Sequence, residues 1–302
     1  MNENDFEQYE KIRRGAVAFY PQRRALIAVW GKEAVQFLNG MVTNDVAKLA
    51  DGEEMLAAFP NAQGRLVAVV RVRRRAEHFL FETEPATREK VFQNLFRFTY
   101  AGDFFVEDWS DRCRAFIVRG SLADETAGEI YEFAHPLGKT VFVPDQEAEN
   151  FSARLLSAGA VEVSEELFDV LRVEAGLPVH GVDMDETTIV PEIGFDSLIS
   201  YNKGCYIGQE IIARIHFRGH VAKQLRGLAF AEKIDAGADE LKNAELKTVD
   251  GKNAGRLTSV AFSPALERTI ALGYVRYDYL AEGTELRASE RAVTVVNLPF
   301  ID

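Results

Sequence analysis

The residue whose side chain is best suited to chemistry is Cys205, which lies in the segment KGCYIGQE beginning at Lys203. Glycines flank Cys205-Tyr206-Ile207 on both sides, so another group can approach the backbone closely there. The apolar spacing that follows predicts an amphipathic helix, which would place Cys205 at a helix N-terminus and two residues after the Lys203 ammonium. Both features favour the thiolate, the reactive form of cysteine. The alternative is that Cys205 is a small, buried and unreactive side chain.

Glu174 is the second candidate, because it is a carboxylate on the apolar side of a predicted helix. Ser164 is a suitable N-cap for this helix, and Gly176 follows its end. Glu174 lies four residues after Val170 and three after Leu171, so it shares their face. A carboxylate in a core must find a partner or change its pKa. Glu174 therefore either reaches solvent from the helix end or contacts a buried ligand that carries N–H donors.

Basic side chains form two runs in the chain. One run follows the cysteine segment and comprises Arg214, His216, Arg218, His220, Lys223 and Arg226. The other lies in a predicted hairpin and comprises Arg65, Arg71, Arg73, Arg74 and Arg75. Each run is either solvated surface or, if the two converge, an anion site for carboxylates or phosphates. His216 and His220 have the spacing of helical metal ligands but lack the HExxH glutamate, so no metal site is expected.

Composition excludes several classes of protein. The length of 302 residues suggests roughly two domains, and the hydrophobic share of 47% is typical of a globular protein. The net charge of −12 argues against a nonspecific DNA coat protein. Two cysteines cannot form a disulfide framework or a four-cysteine zinc site. The acidic start of the chain lacks an apolar signal segment, and no apolar run is long enough to cross a bilayer. We expect a soluble, cytoplasmic protein with no membrane partner.

The elements that must position the candidate residues follow from the apolar spacing. Strands are predicted at 24–30, over 55–81 as a meander, and at 104–109, 113–119 and 139–143. Helices are predicted at 32–38, 86–99, 146–158 and 164–175, the first ending at Asn39-Gly40. After Leu225, short strand-like runs alternate with turn residues, which predicts a small C-terminal β-barrel or sandwich.

KGCYIGQE at 203–210 resembles the KGCYxGQE signature of the YgfZ family of folate-binding proteins, relatives of the glycine cleavage T-protein, an aminomethyltransferase. Further segments match in order: FLNG at 37–40 with TNDV at 43–46, NAQGR at 61–65, RVEAG at 172–176 with GVD at 181–183 and PE at 191–192, SP at 263–264, and IALGYV at 270–275. The resemblance extends from the first predicted helix into the C-terminal region.

The resemblance implies an α+β fold with three domains arranged as a ring around a tetrahydrofolate pocket. We place the first domain at residues 1–50 and 135–222, the second at 51–134 and the C-terminal β-barrel at 223–302. The expected cofactor is tetrahydrofolate or a one-carbon derivative, and the expected state is a monomer. The residues expected to hold the cofactor are Glu174, Arg65, Tyr206, Arg214 and Arg226. A pterin offers adjacent N–H donors to Glu174, and the anionic glutamate tail of folate suits the arginines.

The segment after the turn at 61–65 differs from the T-protein pattern. T-proteins have a GGxxDD motif there, and its first aspartate is catalytic. Here the segment is Gly64-Arg65-Leu66-Val67-Ala68-Val69, with no carboxylate. Its loss argues against aminomethyltransferase activity.

The chain shares a thiol with YgfZ proteins, because Cys205 and Lys203 match the functional thiol motif of that family. T-proteins do not have this feature. The resemblance therefore implies an accessory protein for assembly or repair of iron–sulfur proteins, including enzymes that modify tRNA. Two alternatives stay open at this point. One is a folate-dependent aminomethyltransferase or methyltransferase, and the other is a module that binds tRNA directly.

Overall fold

The computed structural model of the chain describes residues 1–120, 131–234 and 239–301. Its α-helices are α1 (Glu3–Arg13), α2 (Ala34–Met41), α3 (Arg88–Phe96), α4 (Ala148–Ser157), α5 (Glu165–Glu174) and α6 (Gln209–Arg218). Its strands are β1 (Ala18–Gln22), β2 (Ala25–Trp30), β3 (Glu54–Pro60), β4 (Leu66–Arg75), β5 (His78–Thr83), β6 (Phe105–Asp108), β7 (Cys113–Arg119), β8 (Tyr131–His135), β9 (Gly138–Pro144), β10 (Val161–Glu162), β11 (Lys223–Phe230), β12 (Glu245–Lys247), β13 (Asn253–Ser263), β14 (Arg268–Arg276), β15 (Glu285–Ala288) and β16 (Arg291–Val296). None of the helices in these ranges is long and apolar enough to span a membrane.

Within these ranges the strands form two open sheets and one closed barrel. The first sheet has the strand order β3-β4-β5-β2-β6, and the second has the order β10-β1-β7-β9-β8. The barrel has the order β11-β14-β13-β12-β15-β16 and closes because β16 pairs with β11 as well as with β15. The predicted α+β class with a small C-terminal β-barrel is therefore confirmed.

Most predicted elements are present, but the end of α2 differs from the prediction. The meander over 55–81 is found as β3, β4 and β5, and the two later helices are found as α4 and α5. Asn39-Gly40 does not end α2, which continues to Met41. Asn39 is used in another contact, because its Oδ1 accepts from Val46 N at 2.8 Å and its Nδ2 donates to Asp45 Oδ1 at 3.1 Å.

Strand pairing crosses the domain boundaries that the sequence suggested. β2 precedes residue 50, yet it pairs with β5 and β6 of the first sheet. β7 precedes residue 134, yet it pairs with β1 of the second sheet. β2 lies inside the sheet between β5 and β6 and is buried on both faces, with Ile27 in one hydrophobic cluster and Leu26 in another. The domain boundaries stay a prediction, and a division by sheet would move β2, β7 and the part of β8 that precedes residue 135.

α5 packs against the outside of the barrel. β14 carries a nearly continuous buried run, as expected for a strand covered on both faces. Ala271 and Val275 of this strand pack inside the barrel, whereas Ile270 and Leu272 belong to the cluster that contains Leu167 of α5. The apolar stripe predicted for α5 thus binds the helix to the barrel.

A buried ion pair fixes the orientation of α5. Arg172 Nη1 donates to Asp183 Oδ2 at 2.9 Å, and Arg172 Nη2 donates to Ser259 Oγ of β13 at 2.8 Å. Asp183 also accepts hydrogen bonds from Thr258 Oγ1, Ser259 Oγ and Val179 N. The two charged side chains are 6% and 0% exposed. A buried charge is tolerated when it is paired and hydrogen-bonded, so these contacts tie α5, the following loop and the barrel together.

Replacing Asp183 with Ala should lower the free energy of unfolding by about 3 kcal/mol, because it removes the fully buried carboxylate that pairs with Arg172 and leaves Asp169, whose side chain is 40% exposed, as the ion-pair partner. Urea-induced unfolding measures this loss. The matched control is Asp145→Ala, which removes an exposed carboxylate paired with Arg114 and should cost about 0–1 kcal/mol. Equal losses for the two variants would contradict the role given to the buried pair.

Candidate functional site

Glu174 is the last residue of α5 and is only 2% exposed. Its Oε1 accepts a hydrogen bond from Tyr9 Oη of α1 at 2.8 Å and another from Ser263 Oγ of β13. Its Oε2 is buried and has no hydrogen-bond partner among the described residues. The interpretation that Glu174 reaches solvent from the helix end is therefore wrong. One buried oxygen of the carboxylate is free to accept a hydrogen bond.

The electrostatics of this carboxylate follow from its burial. Burial raises the pKa of Glu174 above its ordinary value of 4.5, while the hydrogen bonds from Ser263 and Tyr9 oppose the change. Burial and the hydrogen bond to Glu174 likewise raise the pKa of Tyr9, which keeps the phenol protonated as a donor. A ligand N–H at Oε2 would lower the pKa of Glu174, because hydrogen bonds to the charged form favour it.

Glu174 lines a cleft of about 260 Å³. The other described residues that line it are Arg13, Arg119, Pro136, Leu137, Gly138, Leu171, Ala175 and Ile301. Ile301 forms part of the wall, and the N–H groups of Phe300 and Ile301 donate to the Glu174 carbonyl at 2.9 and 3.3 Å. An apolar lining with one carboxylate and two guanidinium groups suits a partly apolar ligand that has N–H donors and an anionic group.

Cys205 is an exposed free thiol that precedes α6. The helix begins at Gln209 with Gly208 as its N-cap, so the prediction that Cys205 lies at the helix N-terminus is wrong. The cause is Gly208, whose φ of 79° turns the chain before the first helical residue. Lys203 does not donate to the sulfur either, because its N–H groups are used by backbone carbonyls. Exposure is the feature that makes Cys205 accessible to a partner.

The loop after α2 holds the Lys203 ammonium. Nζ donates to the carbonyl oxygens of Asn39, Val42 and Asn44 at 2.8, 2.8 and 2.6 Å, which uses all three of its N–H groups. The ammonium also lies 5.1 Å from the centre of the Tyr206 ring. Burial lowers the pKa of Lys203 to about 8. Lys203 therefore joins the cysteine segment to the loop that carries the TNDV motif.

The turn at 61–65 completes this packed unit. A Cβ on Gly208 would lie 2.4 Å from the Asn61 carbonyl oxygen, and a Cβ on Gly64 would lie 3.3 Å from the side chain of Ile211. Both glycines also have a positive φ, which other residues rarely adopt. Three segments that are distant in the sequence thus meet at one place: 37–46, 61–65 and 203–210.

The remaining predicted ligand residues lie elsewhere. In the described ranges, the lining of the Glu174 cleft does not include Arg65, Tyr206, Arg214 or Arg226. Arg65 is exposed and donates to a backbone carbonyl at 3.1 Å, while Arg214 pairs with Glu210 at 2.9 Å on the surface of α6. Tyr206 is buried, which raises its pKa to about 12. Arg226 is half-buried, its Nε has no hydrogen-bond partner among the described residues, and burial lowers its pKa. Their roles in ligand binding stay predictions.

Sequence reasoning missed four residues around Glu174. Arg13 and Arg119 line the cleft, and Tyr9 and Ser263 hold Oε1. Neither arginine belongs to a basic run, because Arg13 ends an acidic helix and Arg119 ends an apolar strand. Only tertiary packing brings these residues together. The Ser263-Pro264 match was the one local signal, and it assigned no role to the hydroxyl.

Glu174→Gln should make the protein more stable near neutral pH. A raised folded-state pKa means that Glu174 contributes stability below the unfolded pKa of 4.5 and that this contribution is lost as the pH rises through the folded value. Gln keeps the acceptor for Tyr9 and Ser263 without a buried charge, so its advantage should shrink as the pH falls toward 4.5. Urea unfolding at several pH values tests this. Glu77→Gln, at an exposed turn position, is the control. A variant that is less stable at pH 7 than the parent would contradict the prediction.

Two family models match the chain and together span more than two thirds of it. The GCVT N-terminal domain matches residues 5–137, and the glycine cleavage T-protein C-terminal barrel domain matches residues 223–302. The second match begins at the first residue of β11.

Curated relatives and solved structures agree with these matches. The aminomethyltransferase of Rubrobacter xylanophilus is 28% identical, covering 97% of this chain and 85% of that protein. The tRNA-modifying protein YgfZ of Escherichia coli is 27% identical, covering 80% of this chain and 79% of that protein. The crystal structure of the glycine cleavage system aminomethyltransferase T from Bartonella henselae shares the fold, with a TM-score of 0.85 at 21% identity over 98% of this chain and 89% of that one. The chain therefore belongs to the glycine cleavage T-protein family, as a YgfZ-like relative of the T-protein.

Proposed function

We propose that the protein binds tetrahydrofolate, or a one-carbon derivative, in the Glu174 cleft. The observation that carries this proposal is the buried Oε2 atom without a partner among the described residues. A pterin has adjacent N–H donors, which a fixed carboxylate can accept. Arg13 and Arg119 provide positive charge in the same cleft for the anionic glutamate tail. When bound, tetrahydrofolate supplies the capacity to carry a one-carbon group.

The size of the cleft is consistent with part of such a ligand. Its volume of about 260 Å³ lies just below the roughly 300 Å³ at which pockets for whole drug-sized ligands begin. The cleft therefore suits the ring system better than the complete molecule. Leu137, Leu171 and Ile301 supply the apolar surface that a ring requires.

We further propose that the protein acts as an accessory factor and not as a transferase. Ala68 and Val69 lie on β4 where the T-protein pattern carries carboxylates. Ala68 is fully buried in the core of the first sheet, and Val69 packs against the cluster that contains Tyr206. These apolar positions hold no group that could support amine transfer. The clients that we propose are iron–sulfur enzymes that modify tRNA. The similarity to a protein named for tRNA modification supports a role in that process, and the iron–sulfur part of the proposal comes from the resemblance of the KGCYIGQE segment.

The exposed thiol of Cys205 is the group through which we propose that the protein meets a client. Its side chain is reachable from solvent, and a thiolate is a soft ligand for iron or copper and a nucleophile toward other thiols. Cys113 is half-buried at the start of β7 and has a contact of its own.

Glu174→Gln should weaken tetrahydrofolate binding by about 1–3 kcal/mol, because one charged hydrogen-bond acceptor is lost. Isothermal titration calorimetry measures the affinity directly. Glu77→Gln should bind as tightly as the parent protein. Unchanged affinity in Glu174→Gln would remove Glu174 from the site, and the unfolding measurements on the same variant exclude loss of structure as the cause.

Cys205→Ser should bind tetrahydrofolate normally but fail to restore iron–sulfur enzyme activity in cells that lack the native gene. The hydroxyl keeps the size of the side chain but is neither a thiolate nor a soft ligand. Cys113→Ser should complement. In the parent protein, Cys205 should be alkylated faster than Cys113, as read for each cysteine by mass spectrometry. Full complementation by Cys205→Ser would mean that folate binding alone carries the function.

Aminomethyltransferase activity is the second candidate, since a relative so named aligns with nearly the whole chain. A turnover assay with the other glycine-cleavage components separates the two functions. We expect no methylene-tetrahydrofolate above the level without protein, because β4 lacks the carboxylates. Turnover that is abolished by Glu174→Gln would establish a transferase with a rearranged site.

A further inference from the structure

We propose that a surface at the junction of α6 and the barrel binds a single-stranded segment of nucleic acid. This basic–aromatic surface comprises Phe217, Arg218, His220, Lys223, Arg276 and Tyr277. Phe217 to Lys223 follow one another along the chain, because α6 ends at Arg218, Gly219 is extended and β11 begins at Lys223. Arg276 lies opposite Lys223 in the β11–β14 pair. Tyr277 is held beside them by the hydrogen bond from its N–H to the Ala222 carbonyl at 3.0 Å. The proposal does not involve the Glu174 cleft.

Aromatic rings on this surface are stacked and open to solvent. The His220 imidazole lies on the Tyr277 ring with 3.6 Å between centres, and Tyr277 is 47% exposed. Phe217 is 66% exposed and stands edge-on to a second stack, Tyr201 with His216, whose ring centres are 3.6 Å apart. Exposed rings of this kind are platforms on which unpaired bases stack.

Cations outnumber carboxylates around the rings, although the half-buried Lys223 ammonium lies 4.7 Å from the centre of the Tyr274 ring. Burial raises the pKa of Glu192, and the charge of Lys223 opposes this rise. The segment 211–231 contains no Asp or Glu, although the whole chain has 47 of them. Lys223 and Arg276 are direct cross-strand neighbours in the β11–β14 pair, an arrangement of like charges that is unfavourable on its own. In the described part of the chain, Arg218, Lys223 and Arg276 form no ion pair at 4.0 Å or less, and Asp278 is the exposed carboxylate beside them in the sequence.

A helix-dipole role and a simple anion site each account for less of this surface. Cations in the last turn of a helix interact favourably with its dipole, which explains His216 and Arg218 but not the exposed Phe217 ring. A simple anion site would explain Lys223 opposite Arg276 but not the stacked rings. A phosphodiester chain with splayed bases uses both features, since phosphates contact the cations and bases contact the rings. Duplexes fit less well, because their bases are already stacked.

Fluorescence anisotropy with a labelled RNA of about 12 nucleotides tests the proposal, since such a strand spans a typical single-strand site. Phe217→Ala and Arg218→Glu should each weaken binding by about tenfold or more. The affinity of the parent protein should fall steeply between about 50 mM and about 200 mM salt, with a smaller slope for Arg218→Glu. The matched controls are Phe6→Ala and Arg154→Glu, which alter an exposed ring on α1 and an exposed arginine on α4, and both should bind normally. Circular dichroism melting confirms that each variant is folded.

Competition arms define the ligand. Unlabelled DNA of the same sequence should also compete with the labelled RNA. Weaker competition by DNA than by RNA would indicate a contact with the 2′-hydroxyl. Inorganic polyphosphate should compete weakly, because it has no bases. The proposal is overturned if the parent protein does not bind RNA at about 50 mM salt, if the controls weaken binding as much as the test variants, or if polyphosphate competes as well as RNA while Phe217→Ala has no effect. Unchanged RNA binding by Glu174→Gln separates this site from the folate proposal.

Discussion

The buried pair between Arg172 and Asp183 is the constraint on which the position of Glu174 depends. Arg172 is held by Asp183 and by Ser259 of β13, so the last turn of α5 has one position on the barrel. Ser263 lies four residues further along the same strand, and side chains at that spacing point to the same face. It therefore meets Glu174, two residues after Arg172. The ion pair and the Glu174 carboxylate are therefore positioned by the same two elements, α5 and β13.

The position in which Glu174 is held has a cost in stability. The two protein donors, from Tyr9 and Ser263, both serve Oε1 and leave Oε2 buried without a partner in the described structure. An unsatisfied buried acceptor on a charged group costs free energy. A ligand that supplies the missing donors removes this cost, and by linkage it also lowers the pKa of the carboxylate. The cost of the partnerless Oε2 and the affinity that we propose for an N–H donor thus have the same physical origin.

Elements that depend on the local spacing of apolar residues could be predicted from the sequence. Features that depend on a contact with a residue distant in the chain could not. The stripe of α5 and the meander follow from apolar spacing alone. For the C-terminal region the strand pattern allowed a barrel or a sandwich, and the resemblance to the YgfZ family favoured the barrel. Asn39-Gly40 has the composition of a helix end, but a hydrogen bond from Val46 N uses the Asn39 side chain. Arg13 and Arg119 give no local signal, because their meeting depends on how α1 and β7 pack. The two arginines in the cleft therefore could not be found from the sequence.

Three residues of the cysteine segment have structural contacts, whereas Cys205 is exposed. Lys203 binds three carbonyls, Tyr206 is buried in a core cluster, and Gly208 has no room for a Cβ beside Asn61. Cys205 lies among them, exposed. Residues on both sides of Cys205 thus contact the 37–46 segment and the 61–65 turn, while the cysteine itself is exposed. Preorganisation of the neighbouring backbone would lower the entropic cost of the contact with a client that we propose for Cys205.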